Sequence, residues 1–146
     1  MIAEALGVKL EDMGGLSLKA KNAAGISNTC TVFAELEVIS RLAEGVPLKE
    51  LVAGLHEAIA ARIYGTVSRL KIEKDVVVTG GGAKNIGLVK ALEAKLGYPV
   101  LIPAEPLLTG ALGAALLGKD IAQQATDKGL PLVRSERRLQ EATFFS

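Results

Sequence analysis

The sequence predicts an α/β fold that is rich in helix and has few parallel strands. Residues 76–78 are three valines, whose branched side chains suit a strand buried on both faces, and a glycine triplet follows almost at once. Apolar residues recur at helical spacing in at least four other segments. A two-stranded sheet is marginal by itself and cannot cover so many apolar helix faces. We therefore expect another polypeptide to complete the sheet, or the chain to be a piece of a larger one.

Composition and charge narrow the class of protein. The 146 residues are 49% hydrophobic, which suffices for one compact domain, and a formal net charge of +1 provides no field to attract nucleic acid or an anionic membrane. The single cysteine excludes a disulfide framework within the chain. No signal-like segment opens the sequence, and no apolar run approaches the roughly 20 residues that cross a bilayer. The sequence thus predicts a cytoplasmic protein without a membrane or nucleic-acid partner.

Helical periodicity predicts three helices before the glycine triplet. Ile2, Leu6 and Leu10 recur at helical spacing, and two glycines after Met13 are expected to end this first helix. Residues 16–29 have no steady period and predict a loop. Two longer apolar stripes predict further helices, over residues 31–44 and 48–70.

The glycine triplet at residues 80–82 predicts a place where the main chain approaches a ligand closely. Glycine has no Cβ, so the backbone can take a positive φ and lie against a flat or charged ligand. A helix predicted over residues 83–96 begins at once, and its first free N–H groups would face the same ligand, for which a nucleotide is the natural candidate. The remaining predicted elements are a strand over residues 98–102 and a helix over residues 107–117.

Three blocks of sequence resemble one known protein family. They read NTCTVFAELEVIS over residues 28–40, VVVTGGGAKN over residues 76–85 and PLLTGALGAALLG over residues 106–118. In order and spacing they are similar to the ATPase activators of 2-hydroxyacyl-CoA dehydratases and to the related ATPase subunits of benzoyl-CoA reductases. The resemblance implies a partial ribonuclease-H-like lobe of the actin-like ATPase type, with an incomplete carboxyl-terminal lobe over residues 1–120. Residues 121–146 would be a polar tail, either disordered or docked.

The resemblance also implies site residues and cofactors. In the family, the glycine block contacts the adenosine of ATP or ADP, which binds with Mg²⁺. Two cysteines per subunit hold one [4Fe-4S] cluster between the halves of a homodimer. The implied nucleotide-binding residues are Gly80, Gly81, Gly82, Ala83 and Asn85, and the implied cluster ligand is Cys30.

The activity that the resemblance implies is an ATP-driven electron transfer. Reduced ferredoxin or flavodoxin would donate the electron, and a CoA-thioester dehydratase or reductase component would receive it. The family's phosphate-binding segments, its acidic residue for Mg²⁺ and its second cysteine have no counterpart here and would precede Met1, as in a truncated product, a fragment or half of a split protein. We therefore expect no complete catalytic set in this chain. We also expect no stable cluster on the chain alone, because an ordinary [4Fe-4S] cluster needs four thiolates.

Two alternatives stay open from the sequence. A half-lobe without phosphate loops could act as an assembly subunit that joins a separate amino-terminal lobe or pairs with itself. A Rossmann-like module for another nucleotide fits less well, because Asn85 stands where the third glycine of that fingerprint belongs. His56, the only histidine, has no second ligand or nucleophile at useful spacing, so a packing or solvated role is expected.

Overall fold

Helices dominate the structure, a computed structural model that describes residues 2–27 and 29–131. The α-helices of the described part are, in order, α1 (Ile2–Ala5), α2 (Leu10–Ser17), α3 (Thr31–Ala43), α4 (Leu48–Val67), α5 (Ile86–Leu96) and α6 (Thr109–Asp127). Two 3₁₀ turns, Ser68–Leu70 and Gly81–Lys84, lie between α4 and α5. The chain divides after Thr109 into two units, whose described parts lie within residues 2–109 and 110–131. The candidate site lies in the first unit.

Helix α4 is the centre of the first unit. It packs against α2, α3 and α5. Val52 of α4 has no exposed surface, and together with Leu55 it forms a core cluster with Met13 of α2 and Val38 of α3. The predicted helices over residues 31–44 and 48–70 are confirmed as α3 and as α4 with the 3₁₀ turn that follows it. Their apolar stripes are only partly buried, since Leu51 and Leu55 of α4 are buried whereas 60% of Leu36 in α3 is exposed.

The amino-terminal helix is interrupted, contrary to the prediction. Gly7 takes a positive φ of 66° in the turn after α1. Helix α2 then continues through Gly14 and Gly15, where the prediction ended it. Gly14 is buried, and a Cβ there would lie 2.8 Å from Oδ1 of Asn85. The glycine at this position therefore serves close packing rather than helix termination.

Parallel pairing in the described residues is limited to one bridge. Val77 pairs with Leu101, and the N–H of Val78 donates to the Leu101 carbonyl oxygen over 2.9 Å. Few parallel strands were predicted, and this bridge agrees with that. The prediction that the valine strand is buried on both faces was wrong, since 55% of Val77 is exposed. The reason is that no further strand of the described part pairs beside it to build a central position in a sheet.

Two later boundaries differ from the prediction. The helix predicted over residues 83–96 begins only at Ile86, after the 3₁₀ turn. Helix α6 begins at Thr109 and continues past residue 117 to Asp127, because the polar residues after Gly118 include good helix formers such as alanine and glutamine.

Part of the predicted tail cannot be compared, because residues 132–146 lie outside the described residues. The boundary at residue 120 stays a prediction. No helix of the described segments is long and apolar enough to cross a bilayer. The cytoplasmic location and the absence of a nucleic-acid partner stay predictions.

Candidate functional site

Gly80 begins the turn that leads from the bridged strand to α5. It has φ of 80° and ψ of −173°, a conformation open to glycine and strained for other residues. Its N–H donates to the Pro106 carbonyl oxygen over 2.9 Å, which anchors the start of the turn. The positive φ expected within the glycine triplet is therefore found at this residue.

Gly81 and Gly82 are exposed and have room beside them. A Cβ at Gly81 would meet only Leu107 at 4.0 Å, and one at Gly82 would meet only Leu88 at 3.5 Å, both ordinary contacts. Ala83 differs, because it is only 5% exposed. The turn is thus open at Gly81 and Gly82, and any ligand contact from Ala83 would come from its main chain.

Asn85 caps the amino-terminus of α5. Its Oδ1 accepts hydrogen bonds from the N–H groups of Gly87 and Leu88, both at 3.1 Å. Its Nδ2 lies 2.9 Å from Nε2 of His56 in α4. The expectation that the first free N–H groups of this helix face a ligand is wrong for these two groups, because the asparagine oxygen already occupies them.

His56 is buried where α4 meets α2 and α5. It is 2% exposed, and this burial lowers the pKa of the imidazole below its ordinary value of 6.5, so the ring is neutral at neutral pH. Its buried Nδ1 has no hydrogen-bond partner among the described residues. A Cβ on Gly87 would lie 2.7 Å from both His56 Nδ1 and Ser17 Oγ. The predicted packing role is confirmed, and the solvated alternative is wrong.

A groove of about 1080 Å³ lies beside the glycine turn. This volume lies slightly above the range of roughly 300–1,000 Å³ that small-molecule sites occupy. Of the residues implied by resemblance, Gly81, Gly82, Asn85 and Cys30 line it, whereas Gly80 and Ala83 do not. The apolar part of its lining includes Leu10, Met13, Leu55, Ile59 and Leu88.

Charged side chains also reach the groove. Lys84 follows the glycine turn, and Glu35 extends from α3; both line the cavity. Arg62 of α4 lines it as well, and no sequence pattern pointed to this arginine. Glu37 of α3 does not line the groove. Its carboxylate accepts hydrogen bonds from the Ser27 N–H at 2.8 Å and from Arg41 in the same helix.

Cys30 is the half-buried N-cap residue of α3. Its thiol makes no capping hydrogen bond, but the nearby N–H groups of Phe33 and Val32 lower the pKa of the thiol, and Arg62 adds a weaker attraction. Within the described ranges, no three His, Cys, Asp or Glu side chains gather where they could hold a metal ion. One chain therefore offers a single thiolate and does not fit a whole [4Fe-4S] cluster, which needs four.

Sequence comparison matches most of the chain to one protein family. Residues 1–118 match the BadF/BadG/BcrA/BcrD ATPase family. The 2-hydroxyisocaproyl-CoA dehydratase activator of Clostridioides difficile is 40% identical over 125 residues, which are 86% of this chain and 47% of that protein. The (R)-2-hydroxyglutaryl-CoA dehydratase activating ATPase of Acidaminococcus fermentans is 45% identical over 116 residues, which are 80% of this chain and 45% of that protein.

Structural comparison gives the same relationship. The activator of the 2-hydroxyisocaproyl-CoA dehydratase from Clostridium difficile, solved with bound ADPNP, has a TM-score of 0.80 and 38% identity over 92% of this chain and 50% of that chain. The chain thus spans about half the length of these relatives. The predicted fold class, a partial ribonuclease-H-like lobe of the actin-like ATPase type within the α/β class, is confirmed. The prediction from the three sequence blocks is confirmed as well, and the chain belongs to the BadF/BadG/BcrA/BcrD ATPase family.

Proposed function

We propose that this chain supplies the carboxyl-terminal, nucleotide-binding lobe of an ATP-dependent activator that transfers an electron to a CoA-thioester dehydratase or reductase. The observation that carries the proposal is the groove, where the exposed main chain of Gly81 and Gly82 meets Asn85. These residues belong to the block that resembles the adenosine-contacting motif. Relatives named as dehydratase activators, one of them solved with ADPNP, support the same assignment.

The groove offers complementary chemistry to each part of an adenine nucleotide. Its apolar wall from α4, which includes Leu55, suits a purine ring. The main chain at Gly81 and Gly82 can lie flat against the ring or the ribose, since no Cβ intervenes. We assign the Glu35 carboxylate to the ribose hydroxyls and the Lys84 ammonium to the phosphate end.

Phosphate and Mg²⁺ contacts are proposed to come largely from an amino-terminal lobe. Oδ1 of Asn85 accepts hydrogen bonds from two of the α5 N–H groups that would otherwise attract an anion. The described part of the chain gathers no carboxylate cluster that could hold a cation. We therefore assign no catalytic residue in this chain and propose that hydrolysis requires both lobes.

Cys30 is proposed to supply one thiolate to a [4Fe-4S] cluster shared across a homodimer. Its position at the amino-terminus of α3 suits an anionic ligand, because the helix dipole and free N–H groups stabilise negative charge there. The cluster, when bound, supplies low-potential one-electron chemistry. Reduced ferredoxin or flavodoxin is the proposed donor, and the CoA-thioester enzyme is the acceptor.

Calorimetry with ADP and Mg²⁺ tests the nucleotide assignment. The titration is done on the chain alone and on the chain mixed with the amino-terminal lobe of a relative, and we expect binding heat in the mixture. Gly81→Val places a branched side chain in the open groove, where its Cβ would meet only Leu107 at 4.0 Å, and should weaken binding by more than about tenfold. Gly25→Val is the matched control, because Gly25 also has open space beside it but does not line the groove. No heat in either titration of folded wild-type protein would contradict the assignment.

The interaction-subunit alternative is favoured by one observation on α3. Val32, Phe33 and Leu36 are 56%, 64% and 60% exposed, although a surface helix normally buries its large apolar residues. This face begins beside Cys30 and suits contact with another polypeptide, including a second copy of the chain. Sedimentation velocity tests it: Leu36→Glu should lower the association state of the wild type. An unchanged sedimentation coefficient would remove this support.

A further inference from the structure

We infer that His56 is a positioning residue that fixes the nucleotide-binding turn by accepting a hydrogen bond from Asn85. This inference rests on the proposed function, because it concerns how the groove beside Gly81 and Gly82 keeps its width. His56 belongs to α4, which forms one wall of the groove, and Asn85 ends the turn that forms another. The bond between them joins the two walls directly.

The hydrogen-bond network determines which atom of the Asn85 amide faces His56. The two N–H groups of Gly87 and Leu88 converge on one amide atom at 3.1 Å, so that atom is the acceptor oxygen. The other amide atom is therefore the NH₂ nitrogen, which can only donate. It lies 2.9 Å from Nε2 of His56, so Nε2 carries the lone pair and the ring proton resides on Nδ1.

The surroundings hold the imidazole in this orientation. His56 is 2% exposed, and Gly87 and Ser17 of the neighbouring helices close around it. A side chain larger than glycine at position 87 would lie 2.7 Å from His56 Nδ1. This close packing restricts the ring, and its hydrogen bond to Asn85 ties the end of the turn to α4.

A packing role by itself does not account for the imidazole. Its Nδ1 is buried and has no hydrogen-bond partner in the part of the chain that the structure describes, which is an energetic cost that an aliphatic residue would not carry. What His56 supplies and an aliphatic residue cannot is the acceptor at Nε2. The ordering of Asn85 is the structural effect of that acceptor.

Nuclear magnetic resonance tests the hydrogen bond itself. His56 is the only histidine in the chain, so ¹⁵N-histidine labelling yields one imidazole signal pair. We expect a protonated Nδ1 and an unprotonated Nε2 in the wild type. In Asn85→Asp the carboxylate can still cap α5 but cannot donate, so Nε2 should become protonated. A wild-type ring with its proton on Nε2, or an Asn85→Asp ring identical to the wild type, would overturn the inference.

Nucleotide affinity tests the positioning role. In the mixture of the chain with an amino-terminal lobe, His56→Leu should weaken ADP binding by about tenfold. His56→Gln can place an amide oxygen near the position of Nε2 and should recover most of that loss. If the folded His56→Leu variant binds ADP as tightly as the wild type, the positioning role of His56 is overturned and the proposed function is not. Absence of ADP binding by the wild type overturns the proposed function, whereas the ring signals decide the bond to Asn85 independently. If His56→Leu does not fold, the glutamine variant decides the question. A folded His56→Gln protein that binds ADP at least tenfold more weakly than the wild type overturns the inference.

Discussion

Gly54 of α4 lies directly against the carbonyl oxygen of Ala24. A Cβ at Gly54 would overlap that oxygen and would lie 3.1 Å from the Ile26 side chain. The N–H of Ala24 also donates to the Glu50 carbonyl oxygen over 2.9 Å, one turn earlier in the helix. The loop before Cys30 is thus held on α4 by its backbone, and this approach requires a residue without a side chain.

Gly54→Ala is predicted to destabilise the protein by about 1–3 kcal/mol, the usual cost of overpacking, because the obstructing atom is backbone and cannot rotate away. Gly65→Ala is the matched control in the same helix, since nothing lies within 4 Å of its Cβ position. It should stabilise the protein by about 0.5–1 kcal/mol through helix propensity. Urea unfolding measures both changes. Equal effects of the two substitutions would contradict the close approach of the loop.

Gly14→Ala and Gly15→Ala form a second pair, now within α2. A Cβ at Gly14 would lie 2.8 Å from Asn85 Oδ1 and 3.1 Å from the Ile86 N–H nitrogen, whereas the position at Gly15 is open. We expect Gly14→Ala to destabilise the protein by about 1–3 kcal/mol and to disturb the cap of α5. Gly15→Ala should be stabilising or neutral. Thermal unfolding ranks the variants, and amide exchange at Leu88 reports on the cap.

This pair also shows why one helix boundary was missed. A glycine in a sequence predicts either a helix end or a close approach of two backbones, and local spacing does not distinguish them. Helices α3 and α4 carry apolar stripes, which include Ala34 and Leu55, so their periodicity was informative. The purpose of Gly14 depends on Asn85, which is far away in the sequence.

The candidate site also combines features that local sequence predicts with contacts between residues far apart in the sequence. Three blocks pointed to Gly81, Gly82, Asn85 and Cys30, and the structure brings all four to one groove. The contact between His56 and Asn85 was not foreseen, because 29 residues separate them and no local pattern joins them. The exposure of Val77 was missed for a related reason: a branched strand predicts burial, but the burial itself depends on neighbouring strands.

Glu93 of α5 links that helix to the segment around Leu101, the residue that pairs with Val77. Its Oε1 accepts the Val100 N–H over 3.0 Å, and its Oε2 accepts from Lys90 Nζ over 2.7 Å. Glu93→Ala should cost about 1–2 kcal/mol, because the half-buried Val100 N–H loses its partner. Glu93→Gln is the control that keeps an acceptor oxygen and loses only the ion pair with Lys90, whose side chain is 60% exposed, so it should cost less than about 1 kcal/mol. Amide exchange at Val100 should accelerate in the alanine variant alone; equal acceleration in both would indicate that the charge, not the acceptor, matters.

The stability of the protein should fall on mild acidification because His56 is buried in its neutral form. Burial lowers the pKa of the folded-state imidazole below the ordinary value of 6.5, which the unfolded chain retains. Below that value the unfolded chain binds the extra proton and the folded chain does not, so the free energy of unfolding decreases as the pH falls below about 7 towards the lowered pKa of the folded state, by at most about 1.4 kcal/mol per pH unit. Well above pH 6.5 the imidazole is neutral in both states, and the contribution is complete and independent of pH. Glu37 and Glu93 have lowered pKa values and lose their contributions only below their ordinary value of 4.5, in a separate range. Urea unfolding should therefore show that the wild type loses stability over the pH range in which His56 titrates, and His56→Gln should remove this slope. A slope of equal size in both proteins would contradict the burial of a neutral His56.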